Sequence, residues 1–444
     1  MTITLTVDLG FGDAGKGSIV DFLARQADTP PTIVRYNGGA QAAHNVVTAD
    51  GRHHTFAQFG AGMFVPGTRT HLSQFMLVAP PEMMAEARHL ESLGVVDPFA
   101  RTTLDRRARV ITPYHQAANR LREVARGAAR HGSCGMGIGE TASDHLTYGG
   151  QMPVAGDLAD RASLRRKLAF VRETKRAQLA ELIALAGDMP GAAEHIAVFD
   201  DETLIDGLTD LYPYFASRLR LTDADDLPAI ITDGAIFEGA QGVLLDEDFG
   251  FHPYTTWSHI TLANADAVLR ESGYMGGVQR LGIVRAYAVR HGAGPFPTED
   301  MALTAAIPDL HNGDNPWQRA FRIGWFDAVL TRYALNVVGG VDALAVTCLD
   351  RFDELTAWKL CDSYQTREGE SLRDLKVCPT PPDLDYQETL TRLLERVTPI
   401  YTPHASDQAG YLATLEGLLG VPVAITSSGV TAEDKQTRPE RMRP

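Results

Sequence analysis

The chain has 444 residues, and 41 Lys+Arg against 56 Asp+Glu give it a formal net charge of −15 with 14 His counted as neutral. A surface this acidic repels a phosphate backbone, which excludes nucleic acid as the expected partner and directs attention to small molecules held in local pockets. Hydrophobic residues at 44% and charged residues at 22% exclude global disorder and fibrous repeats.

In chain order, Ile3–Leu9 alternates like a strand and runs through Gly10-Phe11-Gly12-Asp13-Ala14-Gly15-Lys16-Gly17 into Ile19, Phe22 and Leu23 at helical spacing. Thr32–Tyr36 reads as a second strand ending in Asn37-Gly38-Gly39, followed by helices over Pro81–Leu93 and His115–Arg130. One long amphipathic helix is predicted from Asp160 to Ala186, closed by Gly187. Ala229–Phe237, Leu281–Val289, Ala343–Leu349 and Val421–Thr426 are β-branched or apolar runs expected to be buried parallel strands. Residues 432–444 lose hydrophobicity and are expected to fray. The fold class that results is α/β. We expect a large, mostly parallel central sheet flanked by helices, in one domain over 1–444 with helical excursions at about 80–220.

No apolar run approaches the ~20 residues of a membrane span, and the N-terminus shows no leader pattern, so no membrane partner and a cytoplasmic location are expected. The four cysteines, Cys134, Cys348, Cys361 and Cys378, lack CxxC spacing, which argues for reduced thiols and against a zinc ribbon or disulfide framework.

Gly10-x4-Gly15-Lys16 matches the first part of a phosphate-binding loop. There, glycines let backbone N–H groups approach phosphate while lysine supplies a point charge. The next residue, Gly17, occupies the place where an ordinary P-loop needs Ser or Thr for Mg²⁺, and Asp13 lies inside the loop instead. On residues alone, Asp13 serves equally as a Mg²⁺ ligand, as a proton acceptor or as the anchor of a local turn.

Gly12-Asp13-Ala14-Gly15-Lys16-Gly17 resembles the GDEGKG signature of the adenylosuccinate synthetase family, and further blocks follow in that family's order. They are Arg35–Gly39 with His44, Gly135–Gly139, Phe237–Gly242, Gly292–Glu299, Gly324–Asp327 and Thr347–Asp350. The resemblance spans nearly the whole chain. It implies a GTP- and Mg²⁺-dependent ligase that phosphorylates the 6-oxygen of IMP and then lets the amine of aspartate displace phosphate to form adenylosuccinate. By the resemblance, Asp13 is the general base and, with Ala43, a metal ligand. His44 contacts the transferring phosphoryl group, Gln241 donates to the developing 6-oxyanion, and Lys16 faces the phosphates. GTP binding falls to Gly12, Gly15, Lys16, Gly17, Asp350, Ser427, Ser428 and Gly429, with Asp350 reading guanine donors. A homodimer follows from the same resemblance.

The substrate handles depart from the family pattern. Where the family holds the acceptor 5′-phosphate, Gln41, Cys134 and Tyr148 stand, with Thr256 also assigned to the acceptor. In the stretch that binds aspartate, Arg319 and Arg322 remain while Ala320 and Phe321 replace two arginines, and His291 replaces a small apolar residue nearby. Cys348 replaces a lysine that packs on guanine, and Ala14 replaces a glutamate. The working expectation is adenylosuccinate formation. The alternative is a paralogue that keeps GTP activation but uses another purine-like acceptor, another amine, or both; a non-catalytic GTP sensor is a third reading.

Overall fold

The structure, a computed structural model, describes residues 3–127, 132–186, 189–309, 321–355, 357–405 and 407–438. Its centre is a ten-stranded sheet built outward from β1 (Ile3–Asp8), which is buried along almost its whole length. Ala235–Glu238 lies on one side of β1 and Val278–Arg285 on the other, both parallel to it. Beyond Ala235–Glu238 come β2 (Thr32–Arg35), Arg69–Leu72, Thr102–Asp105 and Arg220–Thr222. Beyond Val278–Arg285 come Ala343–Thr347, Val423–Ser427 and the edge strand Lys435–Thr437, the one antiparallel member. Strands buried on both faces carry near-continuous apolar sequence, as Ala343–Thr347 does with all five residues buried. The α/β expectation holds.

Parallel pairing has a functional consequence. The carboxyl ends of the strands, and so the loops Gly10–Gly15, Asn37–Gln41, Gly239–Gly242 and Cys348–Asp350, open on the same edge of the sheet. The first helix, α1 (Lys16–Gln26), follows β1 directly and packs against a hairpin of β3 (His44–Val47) and β4 (His53–Phe56).

Several predicted elements are corrected. Residues Leu227–Ile231 of the run taken as one strand form a short helix with Pro228 in its first turn, and the strand begins only at Ala235, after Gly234. A short apolar run satisfies a buried helix as well as a strand, and here Ile230 and Ile231 reach the core from the helix. Leu281–Val289 is two strands. The sheet strand ends at Arg285, and Ala288–His291 turns away to pair antiparallel with Phe321–Gly324. The long helix is divided at Leu179 into Arg161–Gln178 and Ala180–Ala186, and Gly187 lies outside the described residues. Within the stretch 80–220 the chain returns to the central sheet at Thr102–Asp105, and it returns again immediately afterwards at Arg220–Thr222.

The tail is not frayed over 432–438. Lys435–Thr437 pairs with Val423–Ser427, and the Lys435 ammonium donates to the Thr431 carbonyl at 2.7 Å. Burial pushes that ammonium down to about 8. Residues 439–444 lie outside the described residues. A second sheet went unread in the sequence. It joins Ala357–Gln365 to Phe326–Asp327, Ser371–Leu372 and Thr398–Ala405. All four cysteines are unpaired, and no described helix is long and apolar enough to cross a membrane.

Gly242 locks the loop after Ala235–Glu238 onto the glycine loop, because a Cβ there would strike the Gly10 carbonyl oxygen and the Gly12 amide nitrogen, both backbone atoms. Gly242→Ala is therefore expected to lower unfolding free energy by about 2–3 kcal/mol in urea titration.

Candidate functional site

The glycine loop is organised from below by Asp8, the last residue of β1. Its Oδ1 accepts the Gly10 amide at 2.9 Å, and its Oδ2 accepts the Ala14 amide at 3.0 Å and the Lys16 ammonium at 2.8 Å. Both charged side chains are buried. Lys16 is thus paired with Asp8 and also lines the cleft described below. Gly12 (φ 100°) and Gly15 (φ 84°) supply the left-handed turns, and Gly15 is the residue from which α1 starts. Gly17 answers a different need from the usual Ser or Thr. A Cβ there would lie 2.7 Å from the His44 Cβ, so glycine admits β3 against α1.

His44, at the start of β3, is 6% exposed and shares a 2.6 Å hydrogen bond through Nδ1 with Glu238 Oε1. The other Glu238 oxygen accepts the Ala61 amide at 3.0 Å, and the buried Arg35 guanidinium stands 3.9 Å away. Burial opposes ionisation of Glu238, but Arg35 and His44 together hold its carboxyl below its ordinary value. Burial likewise pushes the His44 imidazole down, against the pull of Glu238. A neutral imidazole facing an ionised carboxylate carries its proton on Nδ1 and turns Nε2 away from Glu238.

Four non-glycine residues among those described have positive φ, and three of them are Asp13 (58°), Gln241 (54°) and Cys348 (60°), all predicted at the site or noted beside it. Left-handed backbone at such residues persists only where surroundings over-determine it, and strain of this kind concentrates at functional sites. For Gln241 the restraint is visible. Asn37 Oδ1 accepts the neighbouring Ala240 amide at 2.7 Å, and Gly242 packs on the glycine loop. Gln241 Oε1 is buried without a hydrogen-bond partner.

Asp13, Gly15, Lys16, Gly17, Ala43, His44, Asp350, Ser427 and Gly429 line one open cleft. Asp350 sits in the turn after Ala343–Thr347, where Cys348 is left-handed, and the Arg351 guanidinium stands 3.7 Å from its carboxylate. Ser427 Oγ donates to the Gly429 carbonyl at 3.1 Å, and the Ser428 amide is tied to Asp434, which shapes the far wall. Arg285, also on this cleft, donates through Nε to the Asp13 carbonyl at 2.5 Å and pairs with Asp309 at 3.0 Å.

For a divalent cation, the Asp13 carboxylate is the side-chain oxygen on this wall nearest the glycine loop, and Ala43 brings backbone to the same cleft. One carboxylate with backbone and substrate phosphate oxygens suits Mg²⁺. The three-donor cluster found among the described residues, Asp246, Asp248 and His259, is not on this cleft. Asp246 directs its oxygens to the amides of Asp248, Phe249 and Ile260.

Of the other predicted residues that are described, Gln41, Cys134, Tyr148, Thr256 and Arg322 do not line the cleft. Gln41 lies beside Gly38 and Gly39, Thr256 is held by its amide on the Leu245 carbonyl, and Cys134 is a half-buried thiol pushed up by burial. Tyr148 packs edge-on against Phe170 at 5.5 Å, away from the glycine loop. Arg322 donates to Glu299 at 2.8 Å and to the Gly294 carbonyl at 3.0 Å. Arg319 lies outside the described residues. His291 and Phe321 are direct cross-strand partners in the small ribbon, with ring centroids 4.7 Å apart, and His291 Nε2 stands 3.6 Å from Asp13 Oδ2.

Sequence reasoning missed two functional carboxylates, Asp8 and Glu238. The signal was present, because each is the last residue of an apolar strand that runs straight into a glycine turn. An acid there is buried, and buried acids need partners.

The family model described as adenylosuccinate synthetase matches residues 6–436. The adenylosuccinate synthetase of Photobacterium profundum is 34% identical over 433 residues, covering 94% of each chain, and that of Pediococcus pentosaceus is 31% identical over 98% of this chain and 97% of its own. The chain belongs to the adenylosuccinate synthetase family. It is accordingly a GTP-dependent ligase that forms carbon–nitrogen bonds. A fully ligated adenylosuccinate synthetase from Plasmodium falciparum shares the fold with a TM-score of 0.79 at 21% identity, over 99% of this chain and 100% of that one. The succinoaminodeoxyadenylate synthetase of cyanophage S-2L, solved with dGMP and dATP, shares it at 0.58 and 16% identity, over 98% and 95%.

Asp8→Asn leaves the Lys16 ammonium buried without its counter-charge, and a loss of about 3–5 kcal/mol in unfolding free energy is expected. Adding Lys16→Met should recover part of it, so that the double variant in a urea series is less destabilised than the two single changes added together.

Proposed function

We infer that the chain phosphorylates the 6-oxygen of IMP or an IMP-like oxo-purine with GTP and then joins an amine, aspartate in the family's reaction, to the activated carbon. The observation that carries this reading is the arrangement around β1. Asp13 and the Glu238-held His44 share one cleft wall, and Gln241 is strained into place on the loop locked to that wall.

The chemistry follows from the electrophile. A purine carbonyl resists amine attack because oxide is a poor leaving group, so its oxygen must first become nucleophilic and take the γ-phosphoryl group. Asp13 removes the ring N–H proton, and the charge moves to the 6-oxygen, where the Gln241 amide donates to it. The His44 imidazole stands at the transferring phosphoryl group, with its ring fixed by Glu238. The 6-oxygen attacks the γ-phosphorus, the bond to the β-phosphate oxygen breaks, and GDP leaves. The amine then attacks C6, loses a proton, and the C–O bond breaks to release phosphate. Mg²⁺ supplies charge neutralisation on the β- and γ-phosphates when bound, and Asp13 with the Ala43 carbonyl would hold it. Asp350 is suited to guanine, whose N1 and N2 donors match two carboxylate oxygens. A cytoplasmic homodimer, which the family resemblance implies, belongs to the same reading.

Incubation with GTP, Mg²⁺, IMP and aspartate, followed by chromatography for GDP and ultraviolet absorbance for adenylosuccinate, tests the reading. Asp13→Asn is expected to lower turnover by about 10²–10⁴, and Gln241→Ala by about 10²–10³. Absence of product with GTP bound in preference to ATP overturns the IMP and aspartate assignment.

A second reading, with an amine other than aspartate, is favoured by one observation. By the resemblance, Ala320 and Phe321 replace two arginines, one of which would pair with the aspartate carboxylate; the Phe321 ring packs on His291, and Arg322 is already paired with Glu299. On this reading Phe321→Arg should lower the KM for aspartate about tenfold, and initial-rate kinetics with aspartate measure it directly.

A further inference from the structure

The described lining of the cleft includes three lysine or arginine side chains, Lys16, Arg285 and Arg351. Two of them are committed. Lys16 is paired with Asp8 at 2.8 Å, and Arg285 is bound to the Asp13 carbonyl, the Tyr287 hydroxyl and Asp309. Arg351 is placed differently. Its Nη1 donates to Glu354 Oε1 at 2.6 Å, while its Nε stands 3.7 Å from Asp350 Oδ2, outside hydrogen-bond reach.

The local fold explains this placement. Cys348, left-handed at φ 60°, starts the short helical turn Leu349–Glu354, in which residues three apart lie over one another. Glu354 therefore meets Arg351, and because Glu354 does not line the cleft it anchors the guanidinium from outside. The Arg351 side chain is only 20% exposed, against 42% for the Asp350 carboxylate beside it, so it is held in the wall rather than extended into solvent. An acceptor and a set of donors thus stand side by side on one face of the cleft.

Guanine presents three groups in a row along one edge. The 6-oxygen accepts, and N1 and the N2 amine donate; adenine has a donor at position 6 and an acceptor at N1. An ionised carboxylate only accepts, so Asp350 can answer N1 and N2 but leaves the 6-oxygen unread. A guanidinium only donates and keeps its charge at any working pH, so it matches that oxygen and opposes the adenine amine. Nη1 is occupied by Glu354, which leaves the donors of Nε and Nη2 for the base.

We propose that Arg351 reads the 6-oxygen of guanine, so that nucleotide choice rests on an acid and a base set side by side and not on the acid alone. The proposal rests on the reading that Asp350 receives the guanine of GTP, and it makes Arg351 a second residue that sets specificity for the phosphoryl donor.

The test is equilibrium binding, which does not depend on the acceptor or the amine. GDP, inosine diphosphate and ADP, each with Mg²⁺, are titrated calorimetrically into the full chain. Inosine diphosphate keeps the 6-oxygen and lacks only the N2 amine. Arg351→Leu is expected to weaken GDP and inosine diphosphate alike, by about tenfold, and to change ADP by less than about twofold. Asp350→Asn is expected to weaken GDP more than inosine diphosphate. Equal weakening of all three nucleotides by Arg351→Leu overturns the proposal, because the charge then acts on the phosphates. Loss confined to GDP, or no loss at all, overturns it too, since the 6-oxygen is then read by another group; in each of these cases the guanine reading of Asp350 survives. If the unaltered chain binds GDP no more tightly than ADP, or Asp350→Asn leaves the difference between GDP and inosine diphosphate unchanged, that reading fails and the proposal falls with it. Arg351→Met, which keeps an unbranched stem, makes the same comparison should a thermal melt show that Arg351→Leu does not fold.

Discussion

The buried pair of Asp8 and Lys16 is the constraint on which the rest of the site depends. A carboxylate at the end of β1 cannot stay ionised in the core without partners, and it obtains them from two loop amides and the first ammonium of α1. That single set of bonds closes the glycine loop, sets where α1 begins and holds Asp13 at the rim. The lysine then serves as the counter-charge of Asp8 while still lining the cleft.

The same economy governs the loops on either side. Gly17 admits His44, Gly242 admits the glycine loop, and Asn37 fixes the amide before Gln241. Each of the three predicted reacting groups, Asp13, His44 and Gln241, is therefore positioned by contacts from a strand other than its own. Two of them are held in left-handed backbone that an isolated loop would abandon. Strain at Asp13 and Gln241 is tolerable because the sheet edge behind them is rigid, with β1 hydrogen-bonded on both sides.

Much of this was legible in the sequence. The strand, glycine loop and helix at the N-terminus and several of the parallel strands were readable, since period-2 apolar runs and glycine spacing report local geometry directly, and the family resemblance named part of the cleft lining. What escaped reading was set by long-range packing. Ile230 and Ile231 are apolar in either a strand or a helix, and only the neighbouring core decides between them. Lys435 in a polar tail gave no sign of being buried, because a polar run does not show that it will pair as an edge strand with Val423–Ser427. Asp8 and Glu238 could be seen as acids but not as paired acids, since pairing depends on residues up to 194 positions away.

The distribution of departures from the family pattern follows from this architecture. Asp13 and Gln241 sit in the loops after central strands, and His44, on the hairpin beside them, is tied to the central strand residue Glu238. The recognition groups sit on pieces that tolerate change. His291 and Phe321 face each other across a two-stranded ribbon, so altering one ring alters the wall presented by the other while the ribbon's backbone bonds persist. Gln41 projects from a loop whose course is fixed by Gly38 and Gly39 rather than by its own side chain. On the proposed function, the departures at His291 and Phe321 thus fall on the ribbon, while Asp8, Lys16 and Glu238 remain in the buried pairs behind the glycine loop.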